Sequence, residues 1–206
     1  MTRYEQNMSI QNLITAASSA RNTPWNPLSR GQAISLLIGF TLLIYLLAAH
    51  DVTATDNESR ILGILHMVNL VFHEAGHVIF GFLGRTIHIL GGTLGQLLIP
   101  LIVAIHFWLQ RDPAGFAVGQ FWLYENFIDV AAYMADARAL KLQLLGGMGQ
   151  ESHDWRNLFM QWGLLQQDTV LAGLVNTLGW MGMIATCLWV AWRAFPVKNQ
   201  KTRRNT

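Results

Sequence analysis

The sequence has few charged residues for its length. Only 13% of its 206 residues are Asp, Glu, Lys or Arg, whereas 52% are hydrophobic. A soluble domain of this size needs a largely charged and polar surface, which this composition cannot supply. The composition therefore excludes an ordinary soluble globular protein and predicts an integral membrane protein.

The sequence also has little cysteine and little excess charge. Its single cysteine, Cys187, cannot form an intramolecular disulfide framework or a metal site with several cysteines. The formal net charge is only +2, and the basic residues are scattered except in the C-terminal tail. These features give no basic surface for nucleic acid, so we expect no nucleic-acid partner. The apolar composition makes a lipid bilayer the expected surroundings.

Long apolar runs are what the sequence does contain. Five of them span residues 33–49, 61–83, 93–110, 114–137 and 169–192. Each run is about long enough, as a helix, to cross a hydrocarbon layer of ~30 Å, and none alternates as the strands of a membrane barrel do. The sequence therefore predicts an all-α, multi-pass membrane protein with about five transmembrane helices.

The first apolar run follows a polar segment that is longer than the charged region of a cleavable signal peptide, so it predicts an uncleaved span. The predicted organisation has six parts: a polar N-terminal segment (1–32), a first transmembrane helix (33–50), a three-helix core (61–138), a loop (139–168), a last transmembrane helix (169–195) and a basic tail (196–206). In the loop, Trp155, Leu158, Phe159 and Trp162 recur at helical spacing. This stripe predicts a short amphipathic helix in the membrane interface.

The second apolar run contains the motif H-E-x-x-H at His73, Glu74 and His77. On a helix, two histidines four residues apart lie on one face and can bind one Zn²⁺, with the glutamate beside it. Zinc lowers the pKa of a water that it binds, and the glutamate can take the released proton as a general base. A carboxylate within a membrane helix costs about 2.5 kcal/mol or more, which favours a functional role for Glu74.

A catalytic zinc site needs a third protein ligand, and the fourth apolar run offers three acidic candidates. Glu125, Asp129 and Asp136 lie near one helical face. If the second and fourth runs are parallel, Asp129 is level with the histidines and Asp136 lies roughly 10 Å farther along. Asp129 is therefore the predicted ligand, and Glu125 remains an alternative.

A further alternative lies on the predicted interfacial helix. His153 or Asp154 reaches the metal if the loop folds back over the site. Ligands held on two rigid helices are the more precise arrangement, so this alternative ranks below Asp129.

His66 shares the helical face of His73, seven residues away. It can line a path for water or form a hydrogen bond between helices, and membrane bundles use such bonds commonly. The sequence favours the hydrogen bond.

These residues resemble the site-2 proteases, a family of intramembrane zinc metalloproteases. The resemblance covers about residues 61–138 and is carried by "FHEAGH" and by "NFID", an asparagine followed by an aspartate on the third core helix. It implies that His73, His77 and Asp129 hold zinc and that Glu74 is the base. It also implies cleavage of transmembrane segments of other proteins, and we expect a location in the bacterial cell (inner) membrane.

The sequence departs from the family pattern at the third core helix. The family usually has Asn-Pro and Asp-Gly there, whereas Phe127 follows Asn126 and Val130 follows Asp129. Two other functions use the same ligands: a membrane metal-ion carrier, and a zinc-dependent hydrolase of a non-peptide substrate. The sequence does not give the oligomeric state.

Overall fold

A computed structural model describes residues 23–49, 60–142 and 152–195, together with residues 12, 15 and 18. These residues are mainly helical, and no strand occurs among them. Most of the predicted N-terminal segment, the connection 50–59, part of the predicted loop (143–151) and the predicted basic tail lie outside the described residues.

The described residues form six α-helices and two short 3₁₀-helices. The α-helices are α1 (Arg30–Ala49), α2 (Arg60–Phe80), α3 (Arg85–Leu109), α4 (Pro113–Ala135), α5 (Asp154–Trp162) and α6 (Asp168–Ala194). The 3₁₀-helices are Gly81–Leu83 and Leu165–Gln167.

Among the described residues, four segments are long and apolar enough to cross a membrane. They are Arg30–Ala49, Arg60–Leu83, Arg85–Leu109 and Leu165–Ala194. The predicted all-helical class with membrane-crossing segments is therefore confirmed, and the predicted count of about five spans stays a prediction. The remaining long helix, α4, carries Glu125, Asn126 and Asp129 in its middle, which lowers its hydropathy.

Helix α4 lies in the interior of the bundle. It packs most extensively against α6 and α3, and α2 packs against α3. Helix α1 packs on the outer side of α4 and α6, where the rings of Phe40 and Phe121 stack with centroids 4.1 Å apart. The polar residues of α4 are consequently enclosed by other helices, which is where a membrane bundle tolerates them.

The glycine-rich stretch 84–92, which the sequence analysis placed between two spans, is helical except at Gly84. Helix α3 begins at Arg85 and contains Gly91 and Gly92. A Cβ on Gly91 would lie 2.8 Å from the carbonyl oxygen of Gly76 on α2. These glycines permit two helices to approach closely, as small residues do in membrane bundles, and do not form a turn.

Candidate metal centre

The H-E-x-x-H motif lies on α2, as predicted, with both imidazole rings on the side that faces α3. The ring centroids of His73 and His77 are 4.8 Å apart. His73 is buried and His77 is partly buried, whereas Glu74 is exposed. The helix therefore presents two potential metal ligands inward and one carboxylate outward.

The carboxylate that meets these rings is Asp154, the first residue of α5. Its Oδ2 atom lies 2.9 Å from Nε2 of His73 and 3.1 Å from Nε2 of His77. The potential ligand atoms of the three residues all lie within 4.8 Å of one another. Two imidazole nitrogens and one carboxylate oxygen form a recognised ligand set for catalytic zinc, with one position left for a non-protein ligand.

Several contacts hold Asp154 in this position. Its backbone N–H donates to the hydroxyl oxygen of Tyr133 over 2.9 Å, and Nδ1 of His153 accepts from the backbone N–H of Arg156 over 3.2 Å, capping α5. Trp155 and Leu158 are buried against α3 and α4. The first turn of α5 is therefore fixed to the bundle beside the two histidines.

The surroundings also favour the charged form of Asp154. Burial by itself raises the pKa of the carboxyl group, but the hydrogen bonds from His73 and His77 and the charge of these rings outweigh burial. The pKa of Asp154 therefore lies below its ordinary value. The carboxylate is present at neutral pH, and this is the form that binds a cation.

The hydrogen bonds of the two rings determine which nitrogen can bind a metal. Nδ1 of His77 lies 2.8 Å from the carbonyl oxygen of His88, which only accepts, so this nitrogen carries the proton. Nδ1 of His73 lies 3.2 Å from Oε1 of Gln96, whose Nε2 donates to Oδ2 of Asp129 over 2.6 Å. Because the amide oxygen of Gln96 only accepts, Nδ1 of His73 also carries its proton and donates to it.

With both Nδ1 atoms protonated, each Nε2 atom that faces the Asp154 carboxylate carries either a second proton, which it donates to the carboxylate, or a lone pair. Three electron-pair donors that face one another at this separation need a shared proton or a cation between them. Metal-binding histidines are usually oriented in the same way, through a hydrogen bond from the other ring nitrogen. The donor set therefore fits a divalent cation such as zinc.

Gly92 on α3 leaves room for that cation. A Cβ at this position would overlap Nε2 of His73 and would lie 2.6 Å from Nε2 of His77. Any larger residue would fill the space in front of both nitrogens. The absence of a side chain at Gly92 is thus a second feature that fits a bound ion.

Asp129, the predicted ligand, lies next to this group but outside it. Its Oδ1 accepts from Nδ1 of His66 over 2.8 Å, and its Oδ2 accepts from Gln96, which in turn accepts from His73. Asp129 therefore reaches the ring of His73 through Gln96. Its direct binding to the metal stays a prediction, and Asp154 is the carboxylate that the structure brings to both rings.

The contacts between α2 and α4 explain this position. Three pairs define their order: His66 with Asp129, Asn69 with Glu125, and Phe72 with Trp122. In these three contacts residue numbers rise along α2 as they fall along α4, so the two helices cross here and do not keep the common level that the depth argument assumed. Asp129 consequently lies opposite His66.

The other sequence candidates have different partners. The buried carboxylate of Glu125 accepts from Nδ2 of Asn69 over 3.0 Å. Asp136 accepts from the backbone N–H groups of Lys141 and Leu142 and lies 3.4 Å from Nε2 of His153. None of Glu125, Asp136 and His153 belongs to the group formed by His73, His77 and Asp154.

No protein-family model, curated protein or solved structure matches the chain. The resemblance to the site-2 proteases therefore depends on the quoted motifs, and the metal centre depends on the geometry of its own residues.

Proposed function

We propose that the protein is an intramembrane zinc metalloprotease that hydrolyses peptide bonds of membrane-protein substrates. The observation that supports this most strongly is the convergence of His73, His77 and Asp154 on one point beside Gly92. These three side chains would hold the zinc ion. When bound, zinc acts as a Lewis acid that polarises a carbonyl group and makes water more acidic at neutral pH.

Glu74 acts as the general base in this proposal. It directly follows His73 on α2, and its exposed carboxylate can accept a proton from water and later deliver it to the leaving amine. Gln96 and the carbonyl group of His88 act as positioning groups, because each accepts the Nδ1 proton of one histidine. They keep both Nε2 lone pairs directed at the ion.

The position of the site within a helical bundle supports a membrane-embedded substrate. The histidines lie on α2, and the neighbouring helix α3 is also apolar enough to cross a membrane. We assign α4 as a further span whose polar residues are enclosed by the bundle. A peptide bond that reaches the histidines would then belong to a transmembrane or membrane-associated segment, most simply in a bacterial inner membrane.

Replacement of Glu74 by glutamine tests the proposal. We expect the purified Glu74→Gln variant to retain one zinc ion per chain, measured by mass spectrometry of metals, because the three ligands are intact. We expect its cleavage of a panel of single-span membrane peptides in detergent micelles to fall by about 10²-fold or more, since a general base contributes typically 10²- to 10⁴-fold.

The control is His106→Ala, which removes an exposed histidine from α3 outside the ligand group. This variant should keep both zinc and cleavage. Cleavage by Glu74→Gln at the wild-type rate would contradict the proteolytic function. Absence of zinc from the wild-type protein after expression with added zinc would contradict the metal centre itself.

A further inference from the structure

Two arginines lie against one tryptophan at the end of the bundle where α3 and α6 end and α4 begins. The Cζ atoms of Arg111 and Arg193 lie 5.1 and 5.8 Å from the ring centroid of Trp25. Arg111 also lies 4.8 Å from the ring of Trp108, and Arg193 lies 5.9 Å from that of Trp189. We refer to these five residues as the Arg–Trp cluster.

Hydrogen bonds to the backbone of Asn26 hold the cluster together. The backbone N–H of Asn26 donates to the carbonyl oxygen of Arg111 over 3.0 Å, and Nη2 of Arg193 donates to the carbonyl oxygen of Asn26 over 3.3 Å. Arg111 is only 6% exposed and has a φ angle of 55°, a left-handed conformation that is costly for a residue with a side chain. The chain therefore holds a charged residue at a position where glycine or asparagine would be less strained.

The two positive charges have no carboxylate partner among the residues that the structure describes. None of the ion pairs in that part of the chain includes Arg111 or Arg193, and Nε of each is buried without a hydrogen-bond partner. The adjacent Asp112 accepts from the backbone N–H of Ala114 and caps α4. Arg111 is buried and Arg193 is partly buried, and contact with aromatic rings offsets only part of the cost of removing guanidinium groups from water.

We propose that the Arg–Trp cluster binds the phosphate of an anionic phospholipid headgroup. Guanidinium groups bind phosphate with two parallel hydrogen bonds, and tryptophan is enriched at the level of the headgroups. The cluster lies at the ends of two segments that can cross a membrane, α3 and α6, and basic pockets between such helices bind anionic headgroups.

A neighbouring apolar surface can accommodate the acyl chains of the same lipid. Leu188 and Trp192 lie one turn apart on α6, on either side of Trp189 in the sequence, and each is 66% exposed. A phosphate next to the arginines and acyl chains along this face of α6 would bring both parts of one phospholipid into contact with the protein. A soluble phosphate would use only the arginines.

Thermal unfolding in lipid nanodiscs tests the site with phosphatidylglycerol as the probe. We expect nanodiscs that contain phosphatidylglycerol to raise the Tm of the wild-type protein above its value in pure phosphatidylcholine. The double variant Arg111→Gln/Arg193→Gln should lose this increase. Arg30→Gln is the matched control, because it removes an exposed arginine from the start of α1, near the same end of the bundle, and it should keep the increase.

Native mass spectrometry keeps the proposal testable if the double variant does not fold. The wild-type protein should retain phosphatidylglycerol in preference to phosphatidylcholine, and Arg193→Gln alone should reduce the retained fraction about tenfold, the loss expected for one charge-assisted contact.

Three results would overturn the proposal. The first is equal retention of phosphatidylglycerol and phosphatidylcholine by the wild-type protein. The second is an equal loss in Arg30→Gln, which would indicate general surface charge. The third is an equal rise in Tm when inorganic phosphate is added to phosphatidylcholine nanodiscs, which would assign the cluster to free phosphate.

Discussion

At the scale of single residues, the metal centre depends as much on a missing side chain as on the ligands. Gly92 is where a Cβ would meet Nε2 of both histidines. Overfilling a packed site costs typically about 1–3 kcal/mol, which corresponds to roughly 5- to 150-fold in affinity if the cost falls on the metal-bound state.

We therefore expect Gly92→Ala to lower zinc affinity by about tenfold or more, measured by competition with a fluorescent chelator. Gly173→Ala is the control, because no heavy atom lies within 4 Å of a Cβ at that position on α6. Unchanged zinc affinity in Gly92→Ala would show that the ion does not bind between the two Nε2 atoms.

Of the three residues that form the metal centre, the sequence predicted His73 and His77, because both belong to one motif on one helix. A motif with four-residue spacing on one helix fixes the relation of His73 to His77 wherever the helix lies. The partner from another helix depends on how the helices cross, which the sequence does not determine. Asp154 was recognised only as a lower-ranked alternative, because its approach requires residues 139–168 to return to α2.

At the scale of helices, α5 connects the packing of the bundle to the metal centre. Its amphipathic stripe was predicted from the sequence, and three of the four residues, Trp155, Leu158 and Phe159, are buried. Trp162 is 43% exposed, so the stripe faces the bundle for most of its length. Because Asp154 is the first residue of α5, loosening this helix should weaken the metal centre.

Leu158→Ala tests this connection, since Leu158 is fully buried in α5. Truncation of a buried leucine costs about 2–5 kcal/mol, which should increase hydrogen exchange across α5 and lower zinc affinity together. Met160→Ala, at a half-exposed position of the same helix, should change neither. Faster exchange in Leu158→Ala with unchanged zinc affinity would show that the stability of α5 does not affect metal binding.

The glycine-rich stretch shows why one element boundary was wrong in the sequence analysis. Glycine marks turns, but it also marks places where two helices touch. At Gly91 and Gly92 the second explanation applies, because both face α2 across a close contact. The local sequence does not distinguish the two, since the difference lies in the neighbouring helix.

At the scale of the whole molecule, we propose that α4 crosses the membrane as a further span. Its central residues Glu125, Asn126 and Asp129 are polar, yet other helices cover it and its 23 residues extend about 34 Å. That length is sufficient for the hydrocarbon layer. A polar helix inside a bundle of apolar helices is consistent with a site that admits water.

Labelling from the two sides of the membrane tests the span. In a Cys187→Ser background, cysteines at Gln110 and Ala139 are exposed just beyond the two ends of α4. We expect a membrane-impermeant maleimide to label one of these cysteines from outside intact vesicles and the other only after the vesicles are permeabilised with detergent. Labelling of both positions from the same side would show that α4 does not span the membrane.

The identity of the third ligand tests the central claim most directly. We would measure zinc stoichiometry and affinity in Asp154→Asn and Asp129→Asn side by side. The structure predicts that Asp154→Asn loses zinc, because the carboxylate meets both Nε2 atoms. Asp129→Asn should still bind zinc, about 10- to 100-fold more weakly, because it orients His73 only through Gln96. Wild-type zinc binding in Asp154→Asn together with loss of zinc in Asp129→Asn would contradict this account.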